Sequence, residues 1–335
     1  MTNLFELNGV CVGYANVPVL QEFNLVVGKG SLVGLMGGNG SGKTTCLHLL
    51  DFLMEPEAGE LLFDGVPVAS GDGERLRRRV GFVMQHPYML DATVLDNVAL
   101  GLAIRGVPKA ERQKTARKAL EEVGLAQLGG RNATRLSGGE VKRVALARTL
   151  ALDPEVLLMD EPTENLDSDS RAAIERLLPQ LVEQRGKTVV IASHDRGSLI
   201  RLGAQSWRIE DGRAVAERWE NVFRGSVEGG GKAHHFTTAG LTLATVDLPP
   251  EAHWVSISPT EVIISKTAMA SSARNQLRAK IVAAHPSKDG EIMRVTLDCG
   301  EELIASVTCD SWAELGLERG AEVYATFKAS AVKAL

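Results

Sequence analysis

Aromatic side chains make up only 4% of the 335-residue chain, and there are just four cysteines. No apolar run approaches the roughly 20 residues that a membrane-crossing helix needs. Each shortage excludes something. Cys11, Cys46, Cys299 and Cys309 form no C-x-x-C pair, which argues against a disulfide scaffold or a thiolate metal site and for reduced thiols in the cytoplasm. Positive charge is not in excess either: Lys+Arg 37 against Asp+Glu 42 gives a net charge of -5, without the basic stripe of a nucleic-acid binder. The opening MTNLFELNGV lacks the basic-then-apolar pattern of a secretory signal. Any membrane role is therefore expected to come through a partner.

What is present is an ordinary α/β composition, 44% hydrophobic, on a chain long enough for about two to three domains. The first part alternates short apolar runs with helical patterns, the order of a parallel sheet. LVGLM (32–36), VLLMD (156–160) and TVVIAS (188–193) read as buried strands, and residues 44–53 as a helix. KAERQKTARKALEEVG (109–124) reads as a helix ending on a glycine cap, and Ile174, Leu177, Leu178, Leu181 and Val182 as the buried stripe of another, stopped by Gly186. Beyond residue 218 the texture turns to short β-like runs broken at Gly229, Gly230, Gly231 and at Pro249-Pro250. A weak repeat lies there: NVFRGSV (221) resembles NQLRAKIV (275), GLTLAT (240) resembles GEELIAS (300), and VSISPTEVII (255) resembles ATFKASAVKA (325).

GGNGSGKTT, residues 37–45, contains the phosphate-loop pattern of Gly37, Gly42, Lys43 and Thr44 between a strand and a helix. Backbone N–H groups of Gly38, Asn39, Gly40, Ser41 and Thr45 can wrap a phosphate chain, Lys43 can meet its outer phosphates, and Thr44 can ligate Mg²⁺. Asp160 and Glu161 place two carboxylates at a strand's C-terminal edge, one suited to Mg²⁺ and one to orienting a water. An acidic pair at a strand end, or His194 after its strand, would alone be unremarkable.

LSGGE (136–140) stands between these elements, and with it the segment from Leu4 to about Arg218 resembles the ATP-binding cassette (ABC) family. The correspondence takes GGNGSGKTT as Walker A, Gln85 as the Q-loop glutamine and a further Mg²⁺ ligand, and LSGGE as the signature. It takes VLLMDE as Walker B, ENLD with Asp167 as the D-loop, and His194 as the switch histidine. Tyr14 stands where the family stacks an aromatic on adenine. Gly38 replaces the usual proline, and Glu140 with Val141 the usual glutamines. The resemblance implies a RecA-like α/β core with a helical subdomain over about 86–151, in a cassette spanning 1–217. It implies an ATPase in which Ser137, Gly138 and Gly139 meet the nucleotide of an opposing copy in a head-to-tail homodimer. Such a subunit drives transmembrane permease subunits at the cytoplasmic face of the membrane, served by an extracytoplasmic substrate-binding protein.

The tail from Thr267 to Leu335 resembles the Mop domain of molybdenum-pterin-binding proteins, a small β-barrel that works in pairs. The residues carried over are Ser272, Ala273, Arg274 and Asn275 of SARN, with Lys328, Ala329 and Ser330 of FKAS. A guanidinium, an ammonium, hydroxyls and backbone N–H groups suit a tetrahedral dianion such as tungstate or molybdate. Residues 218–266 read as a first, degenerate lobe, with Glu220 in place of Arg274 and Ser258 in place of Lys328. Such a barrel can also be a spacer, and the cargo then be sulfate, iron or another solute. LLDFLMEPEAGELLFDG (49–65) looks more like tungstate-importer ATPases than molybdate ones. Ser311 and Glu314 have the spacing of a capping box.

Overall fold

The computed structural model describes residues 2–15, 17–217, 221–228, 234–246, 248–287 and 290–335. Glu220 and the glycines 229–231 lie outside the described residues. The chain divides into two compact units, Met1–Glu217 and Arg218–Leu335.

The first unit is built on a six-stranded sheet in the spatial order Arg213–Glu217, Gln205–Glu210, Leu32–Met36, Thr188–Ala192, Val156–Asp160, Val80–Val83. All neighbours are parallel except the Arg213–Glu217 edge. Val156–Asp160 and Thr188–Ala192 are buried at every position, as continuous apolar runs covered on both faces should be. A four-stranded antiparallel sheet formed by Asn3–Tyr14, Val17–Gly28, Ala58–Phe63 and Val66–Pro67 shares its core, with Phe5, Phe23, Leu35, Leu47 and Leu158 fully enclosed. Helices Val94–Ile104, Lys109–Glu122 and Gly138–Leu150 pack on one another in the segment expected to be helical. Helix Lys43–Leu50 ends earlier than its sequence pattern implies, because Phe52 turns left-handed at φ 55°. Helices Lys109–Glu122 and Ser168–Arg185 are followed by Gly124 and Gly186, both with positive φ, where a side chain would be strained.

The second unit holds two sheets related by the sequence repeat. One runs Thr242–Thr245, His234–Thr238, Val222–Glu228, Trp254–Ser256, Lys333–Ala334; the other runs Glu302–Thr308, Ile292–Asp298, Asn275–Pro286, Glu322–Phe327, Ile263–Ser265. The last strand of each repeat is exchanged: Ile263–Ser265 pairs with Glu322–Phe327, and Lys333–Ala334 returns to Trp254–Ser256. One hydrophobic core therefore spans both halves, from Phe223, Phe236 and Leu243 to Ile281, Leu303 and Phe327.

Two asparagines at matching repeat positions lock this arrangement. Asn275 Oδ1 accepts from Ala244 N at 2.7 Å and its Nδ2 donates to Ala244 O at 2.9 Å. Asn221 Nδ2 donates to Ile304 O at 2.7 Å, and its Oδ1 accepts from Ile304 N. The repeat-equivalent Gly240 and Gly300 also meet: a Cβ on Gly240 would stand 2.5 Å from Gly300 O. Both asparagines are buried, so truncating one strands a peptide N–H and C=O at about 1–3 kcal/mol each. Asn275→Ala should lower the melting temperature measurably, and thermal unfolding of the variant beside Asn221→Ala checks the equivalence.

The capping box expected at Ser311 is corrected by the structure. Helix Cys309–Glu314 is capped by Thr308, whose hydroxyl accepts from Ser311 N at 3.1 Å. Strand Glu302–Thr308 runs directly into the helix, leaving Ser311 inside its first turn.

Candidate active site

Parallel strands deliver their C-terminal ends to one edge of a sheet, where α/β folds place their chemistry. Leu32–Met36 leads into Gly37, Val80–Val83 into Gln85, Val156–Asp160 into Glu161, and Thr188–Ala192 into Ser193 and His194. The register aligns Asp160 with Ala192, and Glu161 N donates to Ala192 O at 2.9 Å. The residues brought together are those that the motifs single out.

A cleft of about 350 Å³ opens here, lined by Val19, the loop 39–45, Gln85, Asp160 and Glu161. Gly40 and Gly42 have φ of 78° and 103°, and a Cβ on Gly37 would lie 2.3 Å from Ser41 Oγ. The loop thus keeps a shape that only glycine allows. Lys43 is buried, and its Nζ donates to Gly37 O at 2.9 Å and Gly38 O at 3.1 Å. Ser41 Oγ is buried with no hydrogen-bond partner, a polar atom that a phosphate oxygen would satisfy. Thr44 Oγ1 donates to Asp160 Oδ2 at 2.8 Å, so two hard oxygen donors suited to Mg²⁺ already stand together.

Glu161 is buried and held in a left-handed turn, φ 46°. Its Oε1 accepts from His194 N at 3.0 Å and lies 3.0 Å from His194 Nδ1, while Ser193 Oγ donates to Oε2 at 3.3 Å. Gln85 Nε2 donates to Glu164 Oε2 at 2.8 Å. Ser137 caps helix Gly138–Leu150 through a reciprocal box with Glu140, whose Oε2 accepts from Ser137 N at 2.8 Å. The glutamate that departs from the family pattern therefore closes the cap. Asp167 caps Ser168–Arg185, and the Ser170 N–H and hydroxyl hold its carboxyl below the usual range. Gly139 packs against that cap: a Cβ there would meet Ser170 Oγ at 2.5 Å. Ser137, Gly138 and Gly139 do not line the cleft.

Tyr14 lies half exposed at the end of its strand, its hydroxyl 3.1 Å from Met54 Sδ, and does not line the cleft. If it covers adenine, stacking contributes roughly 1–3 kcal/mol. Tyr14→Ala should then weaken ATP binding about tenfold and Tyr14→Phe should not. Fluorescent-nucleotide titration checks both.

Three further residues serve this edge whose roles no motif assigns, although Glu164 opens the ENLD run. Lys142 Nζ donates to Glu161 O at 2.7 Å and Glu164 O at 2.8 Å. Burial lowers its pKa, against the pull of Glu164, Glu161 and Asp160. Glu164 is the partner of Gln85, and Arg148 donates to Tyr88 O at 3.0 Å and Asn97 Oδ1 at 3.1 Å, pinning the segment after Gln85. A basic residue one turn into the signature helix is the only sequence signal for Lys142.

In the second unit Asn275 is in register with Phe327, which sets SARN and FKAS at the same end of two paired strands. Ser272, Arg274, Lys328 and Ser330 are exposed, Ala273 is half-buried and Ala329 buried. The amide of Asn275 is spent on Ala244, so its side chain is committed to the fold. A larger cavity of about 600 Å³ in this unit sets Lys266, Arg278 and Lys280 against Asp298 and Glu322, and no SARN or FKAS residue lines it.

A phosphate loop, a Walker B carboxylate pair and a signature helix on one sheet define an ATP-binding cassette ATPase, and the chain belongs to the ABC transporter ATP-binding proteins. The ABC transporter family model matches residues 20–164 and the TOBE domain model matches 271–334. The molybdate/tungstate import ATP-binding protein WtpC of Pyrococcus horikoshii is 31% identical over 93% of this chain and 94% of its own. The nickel import ATP-binding protein NikO of Rhodobacter capsulatus is 40% identical over 64% of this chain and 89% of its own. Among solved structures, the dimeric bacterial ABC transporter cassette MJ0796 superposes with a TM-score of 0.58 at 32% identity, covering 64% of this chain and 97% of its own. No helix among the described residues is long and apolar enough to cross a membrane.

Proposed function

We propose that this ATPase powers an importer for tungstate or molybdate, and that its second unit binds the same anion as an internal gauge. The observation that carries the cargo is coverage: the likeness to the molybdate/tungstate protein spans 93% of the chain and so reaches both units, whereas the nickel relative matches only 64% of it. The higher identity of that nickel relative, 40%, favours a second reading with another solute and a purely structural barrel.

In the first reading the loop N–H groups and Lys43 hold the phosphates of ATP, and Thr44 and Asp160, aided by Gln85, hold Mg²⁺, which screens phosphate charge. Glu161 orients the attacking water and accepts its proton, steadied by His194 and Ser193. Ser137, Gly138 and Gly139, absent from the cleft of their own chain, meet the ATP of a second copy in a head-to-tail homodimer. Permease subunits at the cytoplasmic face of the membrane convert closure of that dimer into transport, fed by an extracytoplasmic binding protein. Calorimetric titration of the full chain with tungstate, molybdate and sulfate tests the cargo. Binding of the first two and not of sulfate is expected; no binding of either returns the tail to a spacer.

A further inference from the structure

We propose that Lys142 is a positioning residue for ATP hydrolysis, coupling the helix that begins at Ser137 to the backbone of the catalytic glutamate. A tight turn follows Asp160. Glu161 sits at φ 46°, in a left-handed conformation that a glutamate adopts only when its surroundings impose it. The turn closes weakly on itself, Glu164 N reaching Glu161 O at 3.3 Å. Its two outer carbonyls, Glu161 O and Glu164 O, converge on one ammonium, Lys142 Nζ, at 2.7 and 2.8 Å.

Charge-assisted hydrogen bonds at these lengths are stronger than neutral ones, and two on one nitrogen fix the separation of the two carbonyls. The same turn carries Glu164, whose side chain receives Gln85 at 2.8 Å. Lys142 lies on helix Gly138–Leu150, whose first turn is the Ser137 cap. A shift of that helix is therefore transmitted through one side chain to the carbonyl of Glu161 and to the partner of Gln85. Lys142 makes no hydrogen bond to the loop 37–45, so its loss is expected to fall on hydrolysis before it falls on phosphate binding.

The test is steady-state hydrolysis beside equilibrium ATP binding in full-length variants. Lys142→Met, which keeps the stem and removes every N–H, should lower kcat at least tenfold and leave the Kd for ATP within about twofold. Lys142→Gln, which retains two N–H donors on one nitrogen, should recover most of that loss. Should the methionine variant not fold, Lys142→Ala is read in its place, because the half-buried site then admits water to the two carbonyls. Wild-type kcat in the variant lacking donors, an equal loss of ATP affinity, or no recovery with glutamine overturns the proposal.

Discussion

Glu161→Gln is expected to bind ATP as wild type does and to hydrolyse it roughly 10²–10⁴-fold more slowly, the range that a positioned general base contributes. The substitution preserves shape and keeps one oxygen to accept from the His194 N–H at 3.0 Å, while the new amide NH₂ faces the Ser193 hydroxyl, which then accepts instead of donating. It removes the negative charge and the capacity to take a proton from water. The atoms proposed to hold phosphate, Lys43 Nζ and the loop around φ-positive Gly40 and Gly42, are untouched. The variant should accumulate as an ATP-bound dimer, measurable by size-exclusion chromatography with nucleotide quantified in the dimer peak. Lys43→Ala should show the opposite split, losing nucleotide binding first. Hydrolysis at the wild-type rate by Glu161→Gln would remove Glu161 from the mechanism.

The second large effect is expected at the far end of the chain. A dianion leaving water needs opposing charge and several hydrogen bonds, each charge-assisted one contributing roughly 1.5–3 kcal/mol. Arg274 and Lys328 are exposed at adjoining strand ends, flanked by the exposed Ser272 and Ser330. Arg274→Ala and Lys328→Ala should each weaken tungstate binding by about a decade, and the pair together by about two. Asn275→Ala should act differently, through the melting temperature, because its amide bonds Ala244. Calorimetry with differential scanning on the three single variants separates the two kinds of effect.

Legibility in the sequence followed the locality of the chemistry. The phosphate loop could be read because its glycines, lysine and threonine are contiguous, and each residue type is required by what it does. Walker B could be read because a buried strand ending in two carboxylates carries both its burial pattern and its chemistry in one short run. Glu140 departs from the family pattern but closes a capping box with Ser137, a role that the usual glutamine could fill as well. The anchoring role of Lys142 was illegible, since its partners Glu161 and Glu164 lie on another element and are backbone carbonyls, which no side-chain pattern records. Strand exchange in the second unit was hidden for the same reason. The repeat showed that two halves are related, but not that Ile263–Ser265 and Lys333–Ala334 each pair with the other half. Thr308 was missed as a helix cap because the strand before it leaves no loop to mark the boundary.

In the proposed reading one chain both spends ATP and reads the anion that it helps to import. Occupancy of the second unit can bias the cassette only if anion affinity differs between its open and ATP-closed states. Linkage then makes the effect reciprocal: if tungstate opposes the closed dimer, trapped ATP weakens tungstate binding by the same factor. The decisive measurement is tungstate affinity of the Glu161→Gln protein with and without ATP. Weaker binding with ATP, abolished as a difference in the Arg274→Ala background, is the predicted result; equal affinity in the two nucleotide states would contradict it.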